Sequence, residues 1–525
     1  MPKVLISDAL SPAAVAIFRD RGVEVDVKTD LKPEELKAII GQYDGLAIRS
    51  ATKVTKEVLA AATNLKVVGR AGIGVDNVDV PAATQRGVVV MNTPFGNSIT
   101  TAEHAIAMMF ALARQLPDAN ASTHAGKWEK SRFMGVELYG KTLGLIGCGN
   151  IGSIVADRAV GLKMKVIAYD PFLSPDRALD LGVEKVDLDG LFQRADFLTL
   201  HTPLTDQTRN IVDAAAIAKM KPGVRIINCA RGGLIVEEDL LAALKSGHVA
   251  GAALDVFAVE PAKESAFFGL PNVVCTPHLG AATSEAQENV ALQVAEQISD
   301  FLLSGAVTNA LNMPSVTAEE APKLKPYLAL VEQLGGFAGQ ITETRLKAVN
   351  ITYEGDVALL NTRPITSVIL AGLLRPLLDS VNMVSAPVVA REYDIDVSET
   401  KRETCEDYHT LVRLTVTTER QTRSIAGSLF AGTKPRIVEL EGISLEAEVA
   451  RNMLFVRNED KPGFIGRLGT VLGDAGINIA NFNLGRRPEG GSALALVSVD
   501  SPVAEEIVKA VLALPSVVQA KALNF

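Results

Sequence analysis

The stretch from Thr142 to Asp170 leaves this chain little freedom of fold. Thr142-Leu-Gly-Leu-Ile is followed by Gly147-Cys-Gly149-Asn150-Ile151-Gly152, a helix-like run, then Lys165-Val-Ile-Ala-Tyr and Asp170. Strand, glycine turn, helix, strand and acid occur in the order of a parallel βαβ unit. Gly147 permits the tight turn, Gly149 lets backbone approach a pyrophosphate, and Gly152 lets the helix pack closely on its strand. The helix N-terminus then presents free amides to an anion, with Asn150 and Ile151 in its first turn. Asp170, eighteen residues beyond Gly152, stands where a carboxylate accepts both ribose hydroxyls. Pro171, Phe172 and Leu173 follow it and offer no cation for a ribose 2′-phosphate, so NAD is expected over NADP.

A chain of 525 residues exceeds one hydrophobic core, and three or four domains are expected. Short apolar runs spaced by helical segments fill residues 1–95 and predict a parallel sheet. An apolar helix over Thr100–Arg114 is expected between layers. The nucleotide module runs on to Ala282, and an amphipathic helix spans Ser284–Leu303. The Pro-, Thr- and Ala-rich stretch Gly305–Pro326 reads as a linker. Residues 327–450 mix strands with helices, including one over Thr366–Leu378, and carry no chemical motif. Residues 452–525 spell the βαββαβ order of a ferredoxin-like fold.

Net charge of −9 argues against a nucleic-acid surface. The four cysteines (Cys148, Cys229, Cys275, Cys405) have no metal-type spacing, and no metal is expected. Met1–Ser7 enters a strand pattern at once, without the look of a signal peptide, and no apolar run is long enough for a bilayer. A cytoplasmic location is expected.

In open parallel sheets, function gathers at the carboxyl ends of the strands. Three apolar strands end in reactive residues: one runs into Cys229, Ala230 and Arg231, the next into Asp255 and then Glu260, the third into Pro277-His278-Leu-Gly280-Ala281. Oxidising a carbinol requires a base for its hydroxyl proton, which suits an imidazole at His278. Glu260 would fix its tautomer and favour the imidazolium. Arg231 would grip a carboxylate and stabilise alkoxide charge. Of the six histidines, His104 reads as core, and His124, His248 and His409 as solvated. His201 competes because it also ends a strand, although Thr202 and Pro203 after it look like cofactor contacts.

These motifs (Gly147-x-Gly149-x-x-Gly152 with Asp170, Asn228-Cys-Ala-Arg231, Asp255-Val-Phe-x-x-Glu260-Pro and Pro277-His278-Leu-Gly280) resemble the D-isomer-specific 2-hydroxyacid dehydrogenases over residues 1 to about 303. The resemblance implies the same roles for Arg231, Glu260 and His278. It also implies two α/β units: a flavodoxin-like substrate domain, residues 1–97 and 283–303, and a doubly wound Rossmann-type NAD domain, residues 98–282. In that family the loop Ala71-Gly72-Ile-Gly74 offers amides to the substrate carboxylate.

Further on, Asn458-Glu-Asp460-Lys-Pro-Gly463 and Gly476-Ile-Asn478 resemble an ACT domain, residues 451–525, after an intervening α/β domain, residues 304–450. Family members built this way oxidise 3-phosphoglycerate to 3-phosphohydroxypyruvate at the start of serine synthesis. They are feedback-regulated by serine, which implies effector contacts at Asp460 and Asn478 and a homotetramer. The intervening domain is linked in such members to an anion or effector, with no residue here to assign. A phosphorylated substrate calls for extra cations. Arg49 and Arg70 end strands at the proposed cleft, and Lys130 and Arg132 lie on the loop that leads into the glycine-turn strand; each also reads as a solvated surface charge. Two alternatives stay open: a dehydrogenase for glyoxylate, hydroxypyruvate or D-lactate, and a non-catalytic NAD-sensing regulator. The first is weakened by the residues beyond Leu303, the second by the intact Arg231, Glu260 and His278.

Overall fold

In the computed structural model, which describes residues 1–317, 319–378, 381–487 and 491–525, the chain forms four sheets. The first holds five parallel strands in the order Glu24–Val27, Lys3–Ile6, Gly45–Ile48, Val67–Arg70, Val89–Asn92. That is the flavodoxin-like order. Helix Ser284–Ser304 packs across it, with Val294 and Ile298 so near Gly69 that a Cβ there would come within 2.6 Å of both.

The second sheet is wholly parallel, in the order Val273–Cys275, Val249–Leu254, Val224–Asn228, Phe197–Leu200, Thr142–Ile146, Lys165–Tyr169, Glu184–Lys185. Strand order reverses between Thr142–Ile146 and Phe197–Leu200. This is the switch point at which open α/β sheets bind ligands. The third sheet is mixed, has six strands from Asp396–Arg402 to Ile443–Ala447, and packs against helices Ala321–Gln340 and Thr362–Leu374. The last is a four-stranded antiparallel sheet, ordered Ile479–Arg486, Ser492–Val499, Asn452–Glu459, Val517–Asn524, with helices Phe464–Asp474 and Glu505–Leu512. Among the described residues no helix is long and apolar enough to cross a membrane.

Two expectations need correction. The helix placed at Thr366–Leu378 runs over Thr362–Leu374 instead; Pro364 falls in its first turn, where no intrahelical N–H bond is lost. The segment Gly305–Pro326 is not a free linker. Helix Ala321–Gln340 starts inside it, and residues 309–312 lie on the outer edge of strand Val89–Asn92. There Asn92 N–H donates to Asn309 O (3.2 Å) and Leu311 N–H to Val90 O (2.8 Å). The Asn312 side chain accepts from Val90 N and donates to Val88 O. The seated stretch satisfies an edge that would otherwise expose its ladder groups.

Candidate active site

The glycine turn is shaped as its sequence requires. Gly147 has φ +92°, and a Cβ there would lie 2.6 Å from His201 O; at Gly152 it would lie 2.2 Å from Gly147 O. Nothing stands within 4 Å of a Cβ at Gly149, so a ligand can approach. Helix Asn150–Gly161 begins without a side-chain cap, leaving its first amides free for an anion. The Asp170 carboxylate accepts from Cys148 N and Phe172 N, both at 2.8 Å, which fixes it beside the turn with lone pairs to spare. This cradle fits a dinucleotide.

Past the switch point, strand Phe197–Leu200 delivers His201, Thr202 and Pro203 beneath the turn. His201 is no rival base. Its Nδ1 is buried without a partner, Nε2 sits 3.0 Å from Thr199 Oγ1, and burial pushes its pKa down to about 4. Strand Val224–Asn228 leads into Cys229, Ala230 and Arg231, a turn tied by the Asn228 side chain, which donates to Arg231 O (2.8 Å) and accepts from Ala230 N (3.1 Å).

The His278 Nδ1 lies 2.6 Å from Glu260 Oε2, and Glu260 Oε1 accepts from Phe257 N at 3.0 Å. Burial opposes ionisation of Glu260, but those two hydrogen bonds outweigh it and hold its pKa below the ordinary value. His278 has φ +56°, a left-handed conformation that costs a non-glycine residue, and its N–H is held by Asp255 O and Thr276 O. Its imidazole is still about half exposed, so the ring nitrogen away from Glu260 can meet a ligand.

Arg231 Nε donates to Asp76 Oδ2 (2.9 Å), and the Nη2 tip of its guanidinium points at Gly74 in the loop after strand Val67–Arg70. A Cβ at Gly74 would fall 1.7 Å from Arg231 Nη2, and one at Gly72 would fall 1.7 Å from Arg70 Nη1. Both glycines therefore exist to let an arginine lie against the backbone. Arg70 is pushed down to about 10, chiefly by burial and then by the charges of Arg231 and, less, Arg49. Its Nε has no partner. Arg49 is held by its backbone, N–H to Asp8 and C=O to Asn77, with Nη1 reaching only Ala9 O at 3.4 Å. Three arginines against Asp8 and Asp76 leave surplus positive charge for an anion.

Three other sequence expectations are placed differently. Asp255 does not face the crevice. It is fully buried, and its carboxylate accepts from Thr276 Oγ1, Leu279 N and Gly280 N while lying 3.2 Å from His104 Nε2. It holds the loop carrying His278, Gly280 and Ala281, so its contribution is to their geometry. His104, expected in the core, is its partner at the crevice edge. Cys229 lies within 4.8 Å of both, but burial pushes its thiol far up, against metal ligation. His248, expected in solvent, bonds Ile217 O at 2.9 Å.

Lys130 and Arg132 are exposed, and Arg132 pairs with Glu129 and stacks on Phe133. Their segment is tied to the far end of helix Ser98–Arg114 through Val136 N and Ala113 O, whereas Thr101 near its start touches the Gly280 turn. At 1.5 Å per residue those ends lie roughly 18 Å apart, so these cations do not join Arg49, Arg70 and Arg231 within one chain.

In the ACT-like unit, Asp460 and Asn478 stand at opposite ends of the sheet. Asp460 follows Glu459, which pairs with Ser492; Asn478 precedes Ile479, which pairs with Val499. Seven residues of strand separate those rungs, about 24 Å. Asp460 lies 3.6 Å from Arg486, and Asn478 donates to Asp500 at 2.7 Å. One chain cannot bring them to one ligand.

Comparison with known proteins agrees with this architecture. The family described as D-isomer specific 2-hydroxyacid dehydrogenase, NAD binding domain, matches residues 106–280. The D-3-phosphoglycerate dehydrogenase intervening domain matches 323–441, and the ACT domain matches 452–516. The chain is 46% identical to the D-3-phosphoglycerate dehydrogenase of Synechocystis sp. over 505 residues, 96% of this chain and 91% of that one. It is 42% identical to that of Methanocaldococcus jannaschii over 526 residues, the full length of both. Among solved structures, TT0316 from Thermus thermophilus superposes with a TM-score of 0.55 at 34% identity, covering 59% of this chain and 99% of that one. The D-lactate dehydrogenase of Escherichia coli gives 0.53 at 29% identity, covering 59% of this chain and 100% of that one.

Proposed function

The chain belongs to the D-3-phosphoglycerate dehydrogenases, within the D-isomer-specific 2-hydroxyacid dehydrogenases, and from that premise we propose that Arg231, Glu260 and His278 carry its chemistry. It is an NAD-dependent oxidoreductase that converts 3-phospho-D-glycerate to 3-phosphohydroxypyruvate, the first step of serine synthesis. Gly147, Gly149, Gly152, the first amides of helix Asn150–Gly161 and Asp170 hold the dinucleotide, with Thr202, Pro203, Cys229, Ala230, Gly280 and Ala281 along its path. NAD, when bound, supplies the hydride acceptor.

The substrate carboxylate lies on the Ile73 and Gly74 amides and Arg231, the Gly72 amide being taken by Thr93 Oγ1 (2.7 Å), and Arg49 and Arg70 supply charge for the phosphate. His278 Nε2 takes the proton of the C2 hydroxyl as that carbon becomes a carbonyl. The imidazolium so formed is stabilised by Glu260 through Nδ1–H, and Arg231 stabilises charge on the C2 oxygen. The observation that carries this reading is the 2.6 Å His278–Glu260 pair beside an arginine cluster at the switch-point end of the sheet.

We further propose that this chemistry takes place in the cytoplasm, in a homo-oligomer. The segment bearing Lys130 and Arg132 exposes Trp128 (89%), Met134 (76%) and Tyr139 (74%), a surface suited to a second copy. Serine is the proposed ACT effector, held by Asp460 of one copy and Asn478 of another. Residues 1–97 with 283–303, 98–282, 304–450 and 451–525 are the proposed domains. Rates of NADH oxidation with 3-phosphohydroxypyruvate, glyoxylate and pyruvate test the substrate. The phosphorylated acid is expected to be preferred, and a preference for either other acid overturns the phosphate site.

A further inference from the structure

Strand Val89–Asn92 has two neighbours of different origin. On one side it pairs with Val67–Arg70, whose following loop carries Gly72, Ile73 and Gly74. On the other lies the strap of residues 309–312, which reaches it from beyond helix Ser284–Ser304. Asn92 joins the two. Its backbone N–H donates to Asn309 O, and its side-chain Nδ2 donates to Ile73 O at 2.6 Å. Thr93, fully buried, clamps the same loop, accepting from Gly72 N at 2.7 Å while its own N–H donates to Gly72 O.

Ile73 is the residue between the two glycines on which Arg70 and Arg231 lie. With Gly72 at φ +137° and both glycines covered by guanidinium groups, the loop has little intrinsic rigidity. Its position depends on what holds its carbonyls and amides. Asn92 is only 7% exposed, so solvent offers a poor replacement for its bond to Ile73. The strap in turn is fixed by Asn312, which bonds Val90 N, Val88 O and Thr84 Oγ1 at 2.9, 2.9 and 3.0 Å. At its other end Ser315 O accepts from Asn361 Nδ2 at 2.9 Å, just before helix Thr362–Leu374.

The geometry points to Asn92 as a positioning residue for substrate binding, held in register by a strap that is continuous with the C-terminal half of the chain. The strap fixes strand Val89–Asn92 along its edge, Asn92 fixes Ile73, and Ile73 fixes the loop amides and the two arginines that lie on them. Movement of the intervening sheet relative to the first one would then reach the substrate loop through Ser315, Asn312 and Asn92. None of these contacts touches the glycine turn, so the effect falls on the substrate and not on the dinucleotide. This rests on the reading of Gly72–Gly74 as the substrate loop.

The test uses the full-length Asn92→Ala and Asn312→Ala variants, assayed with NADH and 3-phosphohydroxypyruvate, with NADH affinity measured separately by fluorescence titration. Loss of one buried hydrogen bond is expected to raise KM for the keto acid about 10-fold in Asn92→Ala. The strap variant should shift it the same way by about 3-fold, since it acts one step removed. In both, the NADH Kd should stay within about twofold of wild type and any fall in kcat, felt through Arg231, should be smaller than the rise in KM, a split that general destabilisation would not produce. Unchanged KM in both variants overturns the proposal, as does an NADH Kd that rises in step with KM. If Asn92→Ala fails to fold, Asn312→Ala decides alone. A wild-type protein inactive on 3-phosphohydroxypyruvate would instead defeat the assigned reaction.

Discussion

Gly74 and Arg231 act as one unit, because the guanidinium occupies the space a side chain at 74 would need. Gly74→Ala is therefore expected to displace Arg231, lowering kcat/KM by roughly 100-fold, the scale of an ångström-sized misplacement. Steady-state kinetics within twofold of wild type would contradict that. His201 makes a separate prediction about stability. Its folded pKa is depressed, to about 4, so the native state takes up its proton later than the unfolded chain does. Its stabilising contribution is complete above about pH 6.5 and is lost as pH falls towards 4, up to roughly 3 kcal/mol. Denaturant melts of His201→Gln should show a shallower fall in stability across that window; an identical slope would refute the assignment. At this scale the sequence was readable where a residue sits in a local motif, as with Gly147 or the His278 loop. It was not readable where direction depends on partners far along the chain. Asp255 looks like a strand-end ligand until His104 and Thr276 are seen closing over it.

The glycine turn, its uncapped helix and Asp170 work together as an element, and the pattern was legible because all its parts fall within thirty residues. Asp170 is expected to make NADH bind far more tightly than NADPH, since a ribose 2′-phosphate would meet its charge. Asp170→Ala should shrink that difference to within about tenfold, in fluorescence titrations with both cofactors. Equal affinities in the wild type would contradict the role. The strap at 309–312 shows the opposite case. Its composition is that of a linker, and what seats it is the Asn312 side chain meeting Val90, 222 residues earlier. No local periodicity announces such a contact. Its C-terminal continuation was misread for a related reason, since Pro326 lies inside a helix that burial of Leu324, Leu330 and Leu334 sustains.

At the scale of the whole molecule, a sheet about 24 Å from rung to rung separates Asp460 from Asn478, and a serine site using both requires two copies. The order of motifs in the sequence carries no information about that separation; only the parallel course of the two strands does. Asp460→Ala and Asn478→Ala should each weaken serine inhibition while leaving NADH binding intact. Mixed oligomers of the two variants should recover part of the response, because one pairing restores an intact site. Inhibition curves for the mixture that match the single variants would exclude a shared site.

The pair at positions 260 and 278 bears most directly on the chemistry. The decisive measurement is the single-turnover rate of NADH oxidation by His278→Ala with saturating 3-phosphohydroxypyruvate, alongside its NADH Kd. Removal of the proton-transfer group should lower the rate at least ~100-fold with cofactor affinity unchanged. A rate within threefold of wild type would show that the proton moves through another group.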